Sequence, residues 1–465
     1  MSLFPAPTLH AHPQSPIRLV LVLPHLSPRP RLSPTSTTRL SSSSPSAARA
    51  FSTTPHSPQV PANSPQTSRF RTPSFPPPSF PAVFGANQIL PLDPGVQRRL
   101  DSVLHSFHAP IRFAFAYGSG VFSQSQAGPE HSKKPSTRDG RKMVDFIFAV
   151  THPKHWHALN MAQNPRHYSL LSRLLGSSLA AYVQRRGAGL WYHPYVTIHH
   201  ELVKYGVISI EDLCDDLLDW RTLYVSGRMH KPVALLTSDA RVRLAQQVNL
   251  ASALRVALLL LPQQFTEVEL YTRIASLSYT GDFRMSVPGG ENADKVRNIV
   301  LNQREEFRRL YAGLIRSLGT VQVQEMRENR FSIMQDTSTE TRALHASKLP
   351  RNLRRLIQEH YTSRPELDAA FLALSQSDEG QQQVARTPSP IEAEEVQRAF
   401  WRAAVARDDF QQVLLDKIAE TVRGPAWSQS LKGIYTAGFT RTAKYIVAKV
   451  GKYFEGRRER KQKAQ

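Results

Sequence analysis

The chain has 465 residues, 40% of them hydrophobic, which is enough for two domains plus tails. Its net charge of +22 points to anionic partners, whether nucleic acid, nucleotide phosphates or an acidic lipid surface, and charge alone does not choose among them. A single cysteine, Cys214, excludes an intramolecular disulfide framework and a cysteine-based zinc site.

The first acidic residue in the chain is Asp93. Before it Pro and Ser dominate, and residues 1–51 carry Arg18, Arg29, Arg31, Arg39 and Arg49 with no acid. That composition predicts a mitochondrial transit peptide rather than a secretory signal, with a low-complexity tail as the other reading. Arg49-Ala-Phe51 resembles a matrix processing site, cut after Phe51. Its removal takes five positive charges from a total of +22, so the mature chain stays basic. Residues 52–86 read as a proline-rich linker. No segment is long enough to cross a membrane: 19–23 is short, and 257–262 follows Arg255 and ends in proline.

A first domain is expected over 87–233. A helix at 95–105 leads into Phe113-Ala-Phe-Ala-Tyr-Gly-Ser-Gly-Val-Phe122, a buried strand that ends in a turn without bulky side chains. There a phosphate could approach backbone N–H groups of Gly118 and Ser119. A polar loop, 123–142, separates it from Met143-Val-Asp-Phe-Ile-Phe-Ala-Val150, an oily strand holding one carboxylate, Asp145. An acid in that setting needs a positive partner, and a metal ion is the usual one. Helices are expected at 155–164 and 168–186, strands within 191–207, and an amphipathic helix at 210–220 begun by Ser209-Ile-Glu-Asp212. Cys214 in that helix reads as a packing residue.

A second, mainly helical region follows over 234–318, with helices at 241–261 and 293–317 and a capping box at Thr266-Glu-Val-Glu269. A Gly/Pro-rich loop near Gly281–Gly290 between helices suggests a winged-helix-like module. Residues 319–430 read as mostly helical around a disordered insert at 375–395. In the tail, 431–465, Phe439, Ala443, Ile446, Val447, Val450 and Phe454 recur at helical spacing between Lys432, Arg441, Lys444, Lys449 and Lys452. An apolar stripe bordered by lysines describes a helix lying in an anionic membrane interface, and Phe439, Lys444, Ile446, Lys449, Val450, Lys452 and Phe454 are its expected contacts.

A Gly-Ser turn after one strand and an acid on the next is the core arrangement of the nucleotidyltransferase superfamily. The chain resembles, more narrowly, the mitochondrial CDP-diacylglycerol synthases, the translocator assembly and maintenance family of peripheral phosphatidate cytidylyltransferases. The matching words run in order from Phe115-Ala-Tyr-Gly-Ser-Gly-Val121 through Val144-Asp-Phe-Ile-Phe148, Trp156-His157, Leu159-Asn160 and Lys204-Tyr-Gly-Val-Ile-Ser209. They continue through Asp216-Leu-Leu218, Gly227-Arg228, Lys231-Pro-Val233 and Gly281-Asp-Phe-Arg-Met285 to Lys432-Gly-Ile434. The resemblance implies an α+β protein: a nucleotidyltransferase-fold catalytic domain, a helical, winged-helix-like domain and a C-terminal amphipathic helix. It also implies transfer of a cytidylyl group from CTP to phosphatidic acid, giving CDP-diacylglycerol and pyrophosphate for phosphatidylglycerol and cardiolipin synthesis. The place would be the matrix side of the mitochondrial inner membrane, peripherally bound, with Mg²⁺ as cofactor and no nucleic acid partner.

Nucleotidyl transfer needs a fixed triphosphate, a metal bridging its oxygens and an attacking oxygen in line. Ser119, Asp145 and Lys204 are the expected catalytic residues, Asp145 as the magnesium ligand. Ile147 stands where the broader superfamily has a second Asp, so Asp216 or Asp282 are candidates to complete the site, with helix capping or pairing to an arginine as the other reading of each. Lys204, Arg228 and Lys231 suit phosphate oxygens. By resemblance Tyr117, His157, Asn160 and Tyr205 join Gly118 in nucleotide binding. The His152/His155/His157 and His199/His200 groups lack a cysteine or carboxylate set and read as structural. Two rivals remain at this stage: an RNA-directed nucleotidyltransferase, and a non-enzymatic assembly factor for an inner-membrane translocase.

Overall fold

In the computed structural model, residues 84–122, 143–282, 295–326, 330–362 and 390–437 are described. Strands β1 (Phe113–Tyr117), β2 (Val144–Val150), β3 (Trp191–Ile198), β4 (Glu201–Ser209) and β5 (Ala234–Thr237) form one mixed sheet in the order β3-β4-β2-β1-β5. β2 and β4 run parallel and the other neighbours antiparallel. The parallel pair requires a long crossover, supplied by α2 (Pro153–Gln163), α3 (Leu170–Gln184) and β3. β3 and β4 turn over at His199 and His200, both with positive φ (46° and 64°), which explains that histidine pair as a hairpin turn.

Both faces of the sheet are covered, so its strands read as near-continuous apolar runs. On one face Phe113, Phe115, Ile147, Ala149 and Ile208 pack against Leu213 and Leu217 of α4 (Ile210–Asp219), Met229 of α5 (Ser226–Met229) and Val242 of α6 (Ala240–Leu260). On the other, Ala114, Ala116, Phe146, Phe148, Tyr205 and Val207 meet Leu100, Val103 and Leu104 of α1 (Pro94–His105) and Trp156 of α2. Each sealed phenylalanine contributes about 2–3 kcal/mol of burial. Helix starts follow the sequence: Asp93 caps α1 with Pro94 at its first position, and the Ser209 hydroxyl accepts from the Asp212 N–H at 3.0 Å. Cys214 is buried within α4, and burial pushes its thiol up to about 11.

β6 (Gln264–Thr266) leads through the Thr266/Glu269 capping box into α7 (Glu267–Ser276). The expected helix over 293–317 is two helices, α8 (Lys295–Asn302) and α9 (Arg304–Arg316), broken where Gln303 leaves helical geometry at φ −124°, ψ 29°. The stretch expected to be helical after 319 instead opens with a hairpin, β7 (Val321–Met326) and β8 (Arg330–Gln335), and β6 joins it in the order β6-β8-β7. α10 (Thr339–Ser347), α11 (Arg351–Thr362), α12 (Pro390–Val405) and α13 (Phe410–Ala437) complete the fold. Residues 390–395, expected in the disordered insert, are the first turns of α12, while 375–389 lie outside the described residues.

The expected boundary at 233/234 falls at the start of β5, a strand of the first sheet. One hydrophobic cluster runs from Leu90 to Val422, and all described residues fall in one compact unit, 77–465. α13 likewise continues through the expected start of the tail at 431. Lys432, expected to border a membrane stripe, is buried. Its ammonium donates to the carbonyls of Gln184 (3.2 Å), Arg186 (2.6 Å) and Leu190 (2.9 Å), satisfying groups around the end of α3. Burial lowers it to about 8. Gly187 presses so close that a Cβ there would lie 2.3 Å from Ser428 Oγ. The chain is thus a mixed α/β protein, and no described helix is long and apolar enough to cross a membrane.

Candidate active site

Three neighbouring strands each place one polar residue at the same level and on the same face. Tyr117 pairs with Asp145 across β1/β2, and Asp145 pairs with Lys204 across β2/β4. Lys204 Nζ stands 3.1 Å from Asp145 Oδ1, with both side chains about a quarter exposed. The chain then turns over this row. Gly118 has φ +87°, and a Cβ built there would approach Asp145 Oδ2 to 3.5 Å. The Gly118 carbonyl accepts from the N–H groups of Val121 and Phe122, both at 3.1 Å, closing a tight turn that leaves Ser119 exposed. A Cβ on Gly120 would fall 2.9 Å from the Met143 carbonyl, so the turn must be thin at that point too.

An aromatic floor supports the cations. Gly206, one residue pair along from Lys204, leaves room for the Tyr192 ring, which a Cβ would meet at 2.7 Å. The Lys204 ammonium sits 4.5 Å over that ring, and the Tyr192 and Tyr117 hydroxyls are 3.3 Å apart. Arg228 lies with its guanidinium 3.9 Å over Tyr224 and 5.9 Å from the Tyr117 ring, and also donates to the Tyr224 carbonyl. Burial, then the Asp145 carboxylate, raises the Tyr117 phenol, so it stays protonated and able to donate. Neither Tyr192 nor Tyr224 was among the expected site residues: Tyr224 stood only in the family word Leu223-Tyr224, and Tyr192 reaches the row through its pairing with Gly206 across β3/β4, which residue type alone does not reveal.

Asp216 is occupied. Its two oxygens accept from the N–H groups of Thr222, Leu223, Val225 and Ser226 and from the hydroxyls of Thr222 and Ser226, at 2.7–3.0 Å. That corrects the expectation of a metal ligand there: Asp216 holds the loop before α5, which carries Tyr224 and Arg228. Lys231 donates to the Gly227 carbonyl (2.7 Å) and Ser278 Oγ (2.9 Å) and lies 4.9 Å over the Tyr279 ring. A Cβ on Gly227 would strike Ser278 at 2.4 Å, so this contact needs glycine. Asp282 follows Gly281 and is buried, its N–H bonded to the Tyr279 carbonyl at 3.1 Å.

His157, Asn160 and Tyr205 lie elsewhere. Side chains alternate along a strand, so Tyr205 points to the face opposite Lys204. Its hydroxyl meets Asn160 Nδ2 (3.0 Å) and His167 Nδ1 (2.8 Å). His157 is fully buried, with Nδ1 at 2.8 Å from the Tyr168 hydroxyl and Nε2 at 2.8 Å from Gln184 Oε1. These three form a sealed polar network behind the sheet rather than the lining of a nucleotide cleft. Burial lowers His157 to about 4, so it is a neutral imidazole.

Among the described residues no three His, Cys, Asp or Glu side chains converge as a metal cluster. Asp145 offers one hard oxygen donor beside an open turn, and Ile147, in place of a second acid, is buried against Gly206. That donor set suits Mg²⁺, which readily takes its remaining ligands from phosphate and water. Cavities of about 510 Å³ beside Arg166 and Tyr195, and of about 800 Å³ beside Lys154 and Arg221, are not lined by Asp145. Residues 1–83 and 438–465, with Phe439, Lys444, Ile446, Lys449, Val450, Lys452 and Phe454, lie outside the described residues.

The family model described as "Phosphatidate cytidylyltransferase, mitochondrial" matches residues 100–452. A Xenopus laevis protein of that name is 37% identical over 375 residues, covering 80% of this chain and 99% of the relative. A Danio rerio protein of the same name is 36% identical over 363 residues, 77% of this chain and 95% of the relative. A Saccharomyces cerevisiae protein, again so named, is 43% identical over 235 residues, 50% of this chain and 58% of the relative. With a family model spanning the row, the turn and the helices that support them, the chain belongs to the mitochondrial phosphatidate cytidylyltransferase family.

Proposed function

We propose that the chain transfers the cytidylyl group of CTP to phosphatidic acid, giving CDP-diacylglycerol and pyrophosphate, at the row Tyr117–Asp145–Lys204. The observation that carries this is the Gly118 turn folded over Asp145, with Lys204 at 3.1 Å. The relatives' names do not favour RNA-directed transfer or a non-enzymatic assembly role.

The exposed Ser119 hydroxyl and the N–H groups of its turn bind triphosphate oxygens. Lys204, held over Tyr192, counters charge on the pyrophosphate as the bond from the α-phosphorus to the bridging oxygen breaks. Arg228 and Lys231 present two further cations for the lipid phosphate or the triphosphate. The attacking oxygen of phosphatidic acid is already anionic near neutral pH, so no strong general base is needed. Mg²⁺ bound by Asp145 and substrate phosphates would supply further stabilisation of the leaving group. Tyr117, protonated and close to Tyr192, orients rather than exchanges protons.

The mixed sheet with its turn after β1 and acid on β2 supports a nucleotidyltransferase-type catalytic core. The succession α6, β6, α7, α8–α9, β7, β8 supports a winged-helix-like module, its wing the β7–β8 hairpin rather than the loop near Gly281. The relatives are named mitochondrial; peripheral attachment on the matrix side of the inner membrane goes with the basic tail and the arginine-rich, acid-free leader.

Asp145→Asn tests the centre. Folding should survive, because volume hardly changes and the side chain is partly exposed, while CDP-diacylglycerol formation from CTP, Mg²⁺ and phosphatidic acid should fall by on the order of a thousandfold. Near-normal turnover by that variant removes the mechanism.

A further inference from the structure

The N-terminal piece of α3 exposes Leu170 (68%), Leu171 (50%), Leu174 (75%) and Leu175 (50%) within six residues. At 100° per residue these positions share an arc of about 140°. Ser172, on the other side, is buried and bonded to Ser169 Oγ at 2.7 Å. Gly176, at φ 76° and ψ 179°, breaks the helix immediately afterwards. Nothing lies within 4 Å of a Cβ there, so the glycine is required by its backbone angle rather than by space. Beyond the break, Ala180 and Val183 pack onto Tyr168 and Trp191. The leucine turn is therefore a separate, projecting piece on an anchored helix. Such a concentration of exposed leucine marks an interaction surface.

Charge identifies the occupant. Residues 146–200 contain no Asp or Glu, yet carry Lys154, Arg166, Arg173, Arg185 and Arg186, all exposed. Exposed apolar side chains on an acid-free, cation-bearing stretch of chain match a bilayer surface rich in anionic lipid. The far end of α3, beyond the break, is where Lys432 clamps α13. We infer that Leu170, Leu171, Leu174 and Leu175 form a second membrane contact, inserted into an anionic lipid surface and independent of the tail. It deepens the phosphatidate reading, since a lipid substrate must be met at its membrane, but vesicle binding can be measured without turnover.

Cys214 is the sole cysteine and is buried, so Leu174→Cys creates a single accessible labelling site in the full chain. An environment-sensitive dye there should shift blue with phosphatidylglycerol-containing vesicles, less so with phosphatidylcholine alone, and should be quenched by brominated acyl chains. Replacing all four leucines by Gln should weaken vesicle binding at least tenfold while transfer to a short-chain, water-soluble phosphatidate stays within twofold. A dye indifferent to anionic vesicles, or unchanged binding by the four-Gln variant, overturns the inference. A loss of self-association in sedimentation with vesicle binding intact assigns the face to a second copy of the chain and overturns it as well. If the dye shifts but no phosphatidate accepts a cytidylyl group, the reaction reading falls and the membrane contact stands.

Discussion

Lys204 and Tyr205 are consecutive in the chain, yet one meets Asp145 at the open row while the other is sealed among Asn160 and His167. That single alternation separates the proposed site from the sealed network behind the sheet. His157, on the sealed side, makes a definite contribution to acid sensitivity. Its folded value is about 4, against an ordinary value of 6.5. Above 6.5 both folded and unfolded chains are neutral there and the full stability is present. Between 6.5 and 4 the unfolded chain takes up a proton that the folded one refuses, so stability falls as pH falls, by roughly 3 kcal/mol at the lower end. Calorimetry of His157→Gln should show a flatter dependence of melting temperature on pH across that window. The residual slope includes His230 and His345, which burial also lowers, to about 3 and about 4. An unchanged slope would mean that His157 is not sealed.

At the scale of elements, the loop between α4 and α5 is the site's main support. Trp220 and Leu223 both adopt φ 52°, an uncomfortable setting for large side chains, and the six hydrogen bonds to Asp216 hold the loop there. Asp216→Asn turns an amide donor toward N–H donors. It should cost about 3 kcal/mol in denaturant unfolding and, by loosening Tyr224 and Arg228, should raise KM for CTP or phosphatidate more than it lowers kcat. A stability within error of the parent would show that the carboxylate is not the loop's anchor. Much at this scale was legible. Apolar runs marked β1 and β2, and Ser209, Thr266 and Glu269 announced α4 and α7. The β7–β8 hairpin was missed although Val321, Val323 and Phe331, Ile333 alternate, because the surrounding residues are good helix formers and pairing with β6 is a long-range event. In the site, Asp145, Lys204 and the Gly118 turn could be read from residue type and place. His157, Asn160 and Tyr205 could not, since a word shared with a family fixes a position but not the face it occupies.

For the whole molecule, charge is the organising quantity. Of the +22 total, five charges lie within residues 1–51, and the proposal that this segment is a cleaved leader predicts that N-terminal sequencing of protein recovered from mitochondria finds Ser52 or a residue beside it. Recovery of an intact Met1 would refute the processing. Neutralising Lys444, Lys449 and Lys452 together should weaken binding to anionic vesicles by about 1 kcal/mol per charge, most visibly at low salt. Titration against cardiolipin-rich vesicles at two salt concentrations measures it, and salt-independent binding in parent and variant alike would exclude an electrostatic tail.

The three hydrogen bonds of Lys432 have a mechanical corollary. An ammonium has three N–H directions, and here three carbonyls from the end of α3 and the segment beyond it claim all of them. A helix keyed in this way can neither roll about its long axis nor slide by a turn without stranding a buried charge. The described end of α13 is therefore held on a fixed bearing relative to the sheet. One lysine deep in the fold thereby acts as the keyway that locks α13 to the end of α3.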